Sequence, residues 1–66
     1  MDERRVALLV DGENLSVDHA GFLIVTAAKC GVLCVKRVYG AVTRLDGWTV
    51  APGFRVIHVP ARKDSA

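Results

Sequence analysis

The sequence predicts an α/β fold in which a parallel three-stranded sheet carries one main helix. Three observations lead to this prediction: a continuous apolar run at Val6–Val10, apolar residues at helical spacing after it, and two further strand-like segments separated by turn residues. Strands that are joined through such segments pair in parallel through right-handed crossovers. We therefore expect an α/β layer architecture built on one sheet.

The first strand is expected over about residues 6–10. All of its residues are apolar, so no alternation distinguishes an inner face from an outer one. Such runs are typical of a central parallel strand that is covered on both sides. Asp11 and Gly12 end the run with a turn signal. We thus expect neither face of this strand to meet water.

A helix is expected over about residues 17–30. Its apolar residues recur at spacings of three and four, which places them on one face: Ala20, Leu23, Ile24, Ala27 and Ala28. Asn14 or Ser16 can cap the amino end, and Gly31 is a stop signal at the carboxyl end. The single apolar face indicates a helix that packs on the sheet.

The second and third strands are expected over about residues 32–39 and 54–59. Each alternates partly between two faces, and glycine or proline follows each of them. Between them, Pro52 cuts short the helical turn that residues 45–50 would form. Three strands and one helix are too few to cover both faces of a sheet. We therefore expect either pairing with another copy or a chain that is the first part of a larger domain.

Length and composition exclude several classes of protein. The chain has 66 residues, of which 52% are hydrophobic and 24% charged, and this indicates a globular domain. With two cysteines it is not a disulfide-rich secreted scaffold. Its apolar runs are too short for a membrane span or a signal peptide. We expect a cytoplasmic protein without membrane contact, in which Cys30 and Cys34 are reduced, buried thiols.

Basic charge is concentrated in the second half of the chain. Residues 1–33 hold three basic and five acidic groups, whereas residues 34–66 hold six basic and two acidic groups. This asymmetry favours an anionic partner, with an ordinary solvated surface as the alternative.

Asp11 is the most informative polar residue. It directly follows the first strand, and the carboxyl ends of parallel strands are where α/β sheets bind ligands. A carboxylate beside Gly12 can bind a hard cation such as Mg²⁺. The alternative is that the Asp-Gly pair only makes a turn. Asn14 also has two interpretations, a helix cap or an amide that hydrogen-bonds a phosphate.

The sequence contains no histidine pair at metal-binding spacing, no nucleophile motif and no glycine-rich nucleotide loop. A hydrolase triad and P-loop or dinucleotide binding are therefore disfavoured. Arg62, Lys63 and Asp64 follow the third strand, and parallel pairing would bring them to the sheet edge of Asp11. Trp48, the only tryptophan, is interpreted as a core or interface anchor, with nucleic-acid stacking as the alternative.

Three segments resemble the NYN domain, a PIN-like nuclease fold that also occurs in LabA-type bacterial proteins. RVALLVDGENL resembles the opening of that domain, KRVYG its second strand, and VIHVPARKDSA its third strand with the start of the next motif. The resemblance spans about residues 5–66. It implies that residues 1–66 are the N-terminal portion of a single, truncated NYN/PIN-like domain.

The resemblance also implies metal-dependent RNA cleavage, in which clustered acids hold Mg²⁺ or Mn²⁺ that activates a water. Asp11 matches the first acid of the family motif and is assigned both a catalytic and a metal-binding role. Asn14 matches the polar residue after it, and Lys63 resembles the lysine before the second acidic position. Asp64 is a further candidate metal ligand.

The residues expected to contact RNA are polar or basic: Asn14, Arg37, Arg44, Arg62 and Lys63. Ala41 stands where the family often has an acid, and the helix before the third strand is reduced. We therefore expect little or no nuclease activity from this chain alone. Two alternatives stay open: a non-catalytic RNA-binding or regulatory module, and a homo-oligomer that completes the sheet with neighbouring copies.

Overall fold

The computed structural model describes residues 4–60 and contains a three-stranded parallel sheet with one α-helix. The strands β1 (Arg5–Asp11), β2 (Val32–Gly40) and β3 (Arg55–His58) lie side by side in that order. Helix α1 (Ala20–Ala28) connects β1 to β2. The predicted fold class, an α/β fold with a parallel three-stranded sheet and one main helix, is confirmed.

The predicted strands are present, with bounds that differ by one or two residues at their ends. The register of β1 on β2 shifts after Val6, so that Cys34 forms a bulge. Both cysteines are exposed, and the expectation of buried thiols is wrong. Cys34 lies at the bulge, and Cys30 lies beyond the end of α1, so neither is covered by the core.

The predicted helix over residues 17–30 is longer than the observed one. Its first residues, Val17–His19, form a 3-10 turn that precedes α1. The Ser16 hydroxyl accepts a hydrogen bond from the Asp18 backbone N–H at 3.1 Å and so caps this turn. Tight turns of this kind are common where a helix begins.

The carboxyl end of α1 is tightened in a similar way. The backbone N–H groups of Lys29 and Cys30 donate to carbonyls only three residues earlier, those of Thr26 and Ala27. Such bonds end the α-helical pattern two residues before the predicted bound. Within residues 4–60, no helix has the length and apolar character that a membrane span requires.

The core lies on one face of the sheet. Val10 from β1 and Val38 from β2 are buried there, beneath Leu45 and Trp48 from the connector between β2 and β3. Ala20 and Leu23 of α1 pack against this cluster, as the apolar face of the helix predicts. Helix and connector therefore cover the same side of the sheet.

Trp48 is the anchor of this core, and its interpretation as a core anchor is confirmed. Its indole N–H donates to the Leu15 carbonyl at 2.8 Å, and its ring meets that of Phe54 edge-on, with centroids 5.1 Å apart. The connector holds two 3-10 turns, Val42–Arg44 and Trp48–Val50, where the sequence predicts one helical turn.

The opposite face of the sheet is not covered by a helix within residues 4–60. Side chains of β1 alternate in burial, and Leu9 is 58% exposed. The expectation that neither face of β1 meets water is therefore wrong, because the helix and the connector share one side. We call this second surface the open face; it is formed by Ala7, Leu9, Val35, Arg37, Tyr39, Arg55 and Ile57.

Candidate functional site

A groove of about 640 Å³ opens at the carboxyl edge of the sheet. It is lined by the ends of β1 and β2, the turn after β1 and the residues that follow β3: Leu9, Val10, Asp11, Glu13, Asn14, Tyr39, Gly40, Val59 and Pro60. Ligands of open α/β sheets bind at this edge, where the loops leave the strands. The groove therefore coincides with the place where the sequence predicts a site.

Asp11 is exposed in the groove and is oriented by its own turn. Its Oδ1 accepts from the Glu13 backbone N–H at 3.2 Å, and its Oδ2 accepts from Asn14 Nδ2 at 2.6 Å. The Asp11 backbone carbonyl also accepts from the Leu15 N–H at 3.0 Å, which closes the turn. A carboxylate has about four acceptor positions, so Asp11 keeps capacity for a further ligand.

Asn14 supports Asp11 and does not cap α1. Its amide is bonded to Asp11, while Ser16 provides the cap of the following 3-10 turn. The capping interpretation of Asn14 is therefore wrong. Asn14 is exposed and lines the groove, so its amide carbonyl is accessible to a ligand in the same space.

Glu13 is a residue of the site whose role the sequence does not reveal. Its Oε2 accepts from the backbone N–H of Ala41 at 2.6 Å, across 28 positions of the chain. Its Oε1 lies 3.7 Å from Arg44 Nη1. Because the main partner is a backbone amide, no residue pattern could have indicated this contact. Glu13 fixes the segment after β2 to the turn after β1.

The same segment is held from the other side by β3. The backbone N–H of Val42 donates to Nδ1 of His58 at 3.1 Å, which makes His58 a structural residue. The N–H of Val59 donates to the Gly40 carbonyl at 2.9 Å. The carboxyl edge is thus connected across all three strands.

Replacing Glu13 with alanine is expected to lower stability by about 1–3 kcal/mol, because the Ala41 N–H, which is nearly buried, would lose its acceptor. Glu13→Gln keeps an acceptor oxygen and should restore most of the loss. Thermal unfolding measures the difference, and hydrogen exchange at the Ala41 amide reports the bond directly. Equal stability of the alanine and glutamine variants would contradict this role for Glu13.

The predicted RNA-contacting arginines lie in two places. Arg44 is on the 3-10 turn after β2 with 68% of its side chain exposed, and its pairing with Glu13 is therefore weak. Arg37 lies on the open face, next to the groove and outside its lining. The structure therefore brings Asp11, Asn14 and, through Glu13, Arg44 together, while Arg37 belongs to a neighbouring surface.

The remaining predicted residues, Arg62, Lys63 and Asp64, lie outside the described residues. Their placement beside Asp11 stays a prediction. Within residues 4–60, no three His, Cys, Asp or Glu side chains come together as a metal site. In that part of the chain Asp11 and Glu13 are the carboxylates of the groove, and Glu13 is already bonded to a backbone amide.

Comparison with family models, with characterised proteins and with solved structures gives no match to this chain. The functional conclusion therefore depends on the groove, its side chains and the sequence motif around Asp11. That motif, residues 11–14, is the segment that forms the turn described above.

Proposed function

We propose that this chain is the N-terminal part of a metal-dependent ribonuclease-like domain of the NYN/PIN-like type, and that alone it cleaves RNA little or not at all. One observation carries the proposal. The DGEN turn, which carries the resemblance, orients the Asp11 carboxylate at the end of the first parallel strand in an open groove. Nuclease sites need an acid at such an accessible edge.

The donor set at Asp11 suits Mg²⁺ or Mn²⁺. Mg²⁺ is commonly bound through one or two carboxylates, with waters and substrate phosphates as the other ligands. Asp11 offers one accessible carboxylate, and the Asn14 amide carbonyl is close to it. When bound, the cation would lower the pKa of a water and neutralise charge on the phosphate. Asp64 is the second ligand that we propose.

The protein side chains would position the RNA backbone. Asn14 holds the Asp11 carboxylate in place, while Arg44 at the groove rim and Arg62 and Lys63 after β3 would pair with phosphates. Contacts of this kind do not depend on base sequence and weaken with salt. Low activity of the chain alone is supported by the groove carboxylates, because Glu13 is engaged elsewhere.

A titration with Mn²⁺ tests the metal site without requiring cleavage. In the ¹⁵N-labelled chain we expect the amide signals of residues 11–14 and of Tyr39 and Gly40 to broaden first, since these residues line the groove. Asp11→Asn keeps the shape and an acceptor but removes the charge, and should abolish the broadening. Asp46→Asn, an exposed carboxylate outside the groove lining, is the matched control and should leave it intact.

Broadening that is centred elsewhere, or that survives Asp11→Asn, would contradict the metal site. The proposal of low activity has its own test with single-stranded RNA and Mg²⁺. Cleavage by the 66-residue chain that is lost on Asp11→Ala would show that the chain is active alone and would overturn that part of the proposal.

A second candidate function is a non-catalytic RNA-binding or regulatory module, with a sheet that is completed by oligomerisation. The observation that favours it is the basic open face, where Arg37 and Arg55 are exposed. RNA binding in EDTA that Asp11→Asn leaves unchanged would favour this function. A monomeric mass by sedimentation together with cooperative unfolding would count against oligomerisation.

A further inference from the structure

Two arginines from neighbouring strands lie directly opposite each other on the open face. Arg37 of β2 is in register with Arg55 of β3, and both are exposed. Among residues 4–60, neither has an ion-pair partner. Like charges that face each other across two strands repel and destabilise the sheet. An anion bound from outside would reverse this effect, since both guanidinium groups could contact it at once.

The surroundings of this arginine pair indicate what kind of anion fits. The register places Leu9 beside Arg37, and the next exposed row toward the groove contains Asp11, Tyr39 and Ile57. That row is two residues further along the strands, a distance of about 7 Å. Charge, an aromatic ring and an apolar side chain are therefore adjacent on one surface, as in proteins that bind single-stranded nucleic acids.

A symmetric contact with a second copy fits this surface less well. A two-fold interface brings the same patch of both subunits together. Arg37 and Arg55 of one copy would then face the same two arginines of the other, and like-charge juxtaposition suppresses such pairing. The charge therefore favours an anionic occupant over the chain itself.

We propose that the open face binds single-stranded RNA, with backbone phosphates on Arg37 and Arg55 and a base on Tyr39. The strand then continues over the carboxyl edge toward Asp11. This inference rests on the proposed function for the choice of RNA as ligand. It adds Arg55 and Tyr39 to the contacts and gives the RNA a path across the sheet face as well as along its edge.

The test measures binding of a fluorescent oligouridylate of about ten nucleotides to the whole chain, in EDTA and at about 50 mM salt. We expect Arg37→Gln and Arg55→Gln each to weaken binding about 3–10-fold, and the double variant to flatten the salt dependence by about 1.4 in log–log slope, or about 0.7 per phosphate. Lys29→Gln, which removes the same charge at the end of α1, is the matched control.

Tyr39→Leu should weaken binding without changing the salt dependence, because stacking releases no counterions. In ¹⁵N spectra, the RNA should shift signals of Leu9, Arg37, Tyr39 and Arg55 and leave those of Phe22 on the outside of α1 unchanged. Circular dichroism confirms that each variant is folded, which is expected at exposed positions.

Wild-type affinity of the two arginine variants, or shifts confined to the groove edge, would overturn the inference. Concentration-dependent shifts of the open face without RNA would overturn it in favour of a protein interface. Because the binding is measured in EDTA, loss of the Mn²⁺ site at Asp11 does not affect it. The inference and the proposed metal-dependent function therefore fail separately.

Discussion

Trp48→Ala is expected to leave the chain largely unfolded at room temperature. Trp48 is 1% exposed, packs against Phe54 and donates to the Leu15 carbonyl, so it connects three parts of the chain. Removing a buried aromatic side chain costs about 3–5 kcal/mol. A chain of this length has a total stability of about 3–10 kcal/mol. Far-UV circular dichroism as a function of urea measures the loss.

The control variant Trp48→Phe separates packing from hydrogen bonding. It keeps an aromatic ring against Phe54 but removes the donor to Leu15, so we expect part of the destabilisation, with about 1–3 kcal/mol from the unpaired carbonyl. A urea midpoint of Trp48→Ala equal to that of the wild-type chain would contradict the place of Trp48 in the core. The order of stability expected is wild type, Trp48→Phe, Trp48→Ala.

The strands and their parallel pairing could be predicted because their signals are local. Val6–Val10 is a strand in any context that buries it, and Gly40 marks the end of β2 where the run of β-forming residues stops. The ends of α1 could not be predicted to the residue. They depend on which carbonyl each amide selects, and Cys30 selects one three residues back.

Coverage of the sheet could not be predicted from its first strand. A run in which every residue is apolar gives no information on which face will meet water. The outcome depends on α1 and the connector, which both pack on the side of Val10 and Val38. Leu9 is consequently exposed although its neighbour Val10 is buried.

The candidate site was predictable only where chain position determines it. Asp11 follows a strand, so topology alone places it at the carboxyl edge. Glu13 and Arg55 were not predictable in the same way. The role of Glu13 depends on the Ala41 amide, and that of Arg55 on the register between β2 and β3 that sets it opposite Arg37.

Gly12→Ala is expected to destabilise the core and to disturb the site at the same time. Gly12 is buried directly after Asp11, and its N–H donates to the Tyr39 carbonyl at 2.9 Å. An added Cβ would collide with Val38 and would lie 2.6 Å from Leu45 Cδ2. Both neighbours are fully buried and cannot move aside, so we expect a loss near the upper end of about 1–3 kcal/mol.

The matched control for Gly12→Ala is Gly21→Ala in α1. No atom lies within 4 Å of a Cβ at Gly21, and alanine favours the helix, so this variant should gain about 0.5–1 kcal/mol. Urea unfolding of both variants gives the comparison, and a neutral or stabilising Gly12→Ala would contradict the close packing.

A double variant decides whether the collision itself is the cause. Val38→Ala alone should destabilise by opening a cavity, but in the Gly12→Ala background it makes room for the new methyl group, so the two losses should be less than additive, with a coupling of about 0.5–3 kcal/mol. Additive losses would mean that Gly12 matters through its backbone alone. Coupling would show that the turn that holds Asp11 rests on Val38, and that metal binding at Asp11 and packing of the core depend on the same contact.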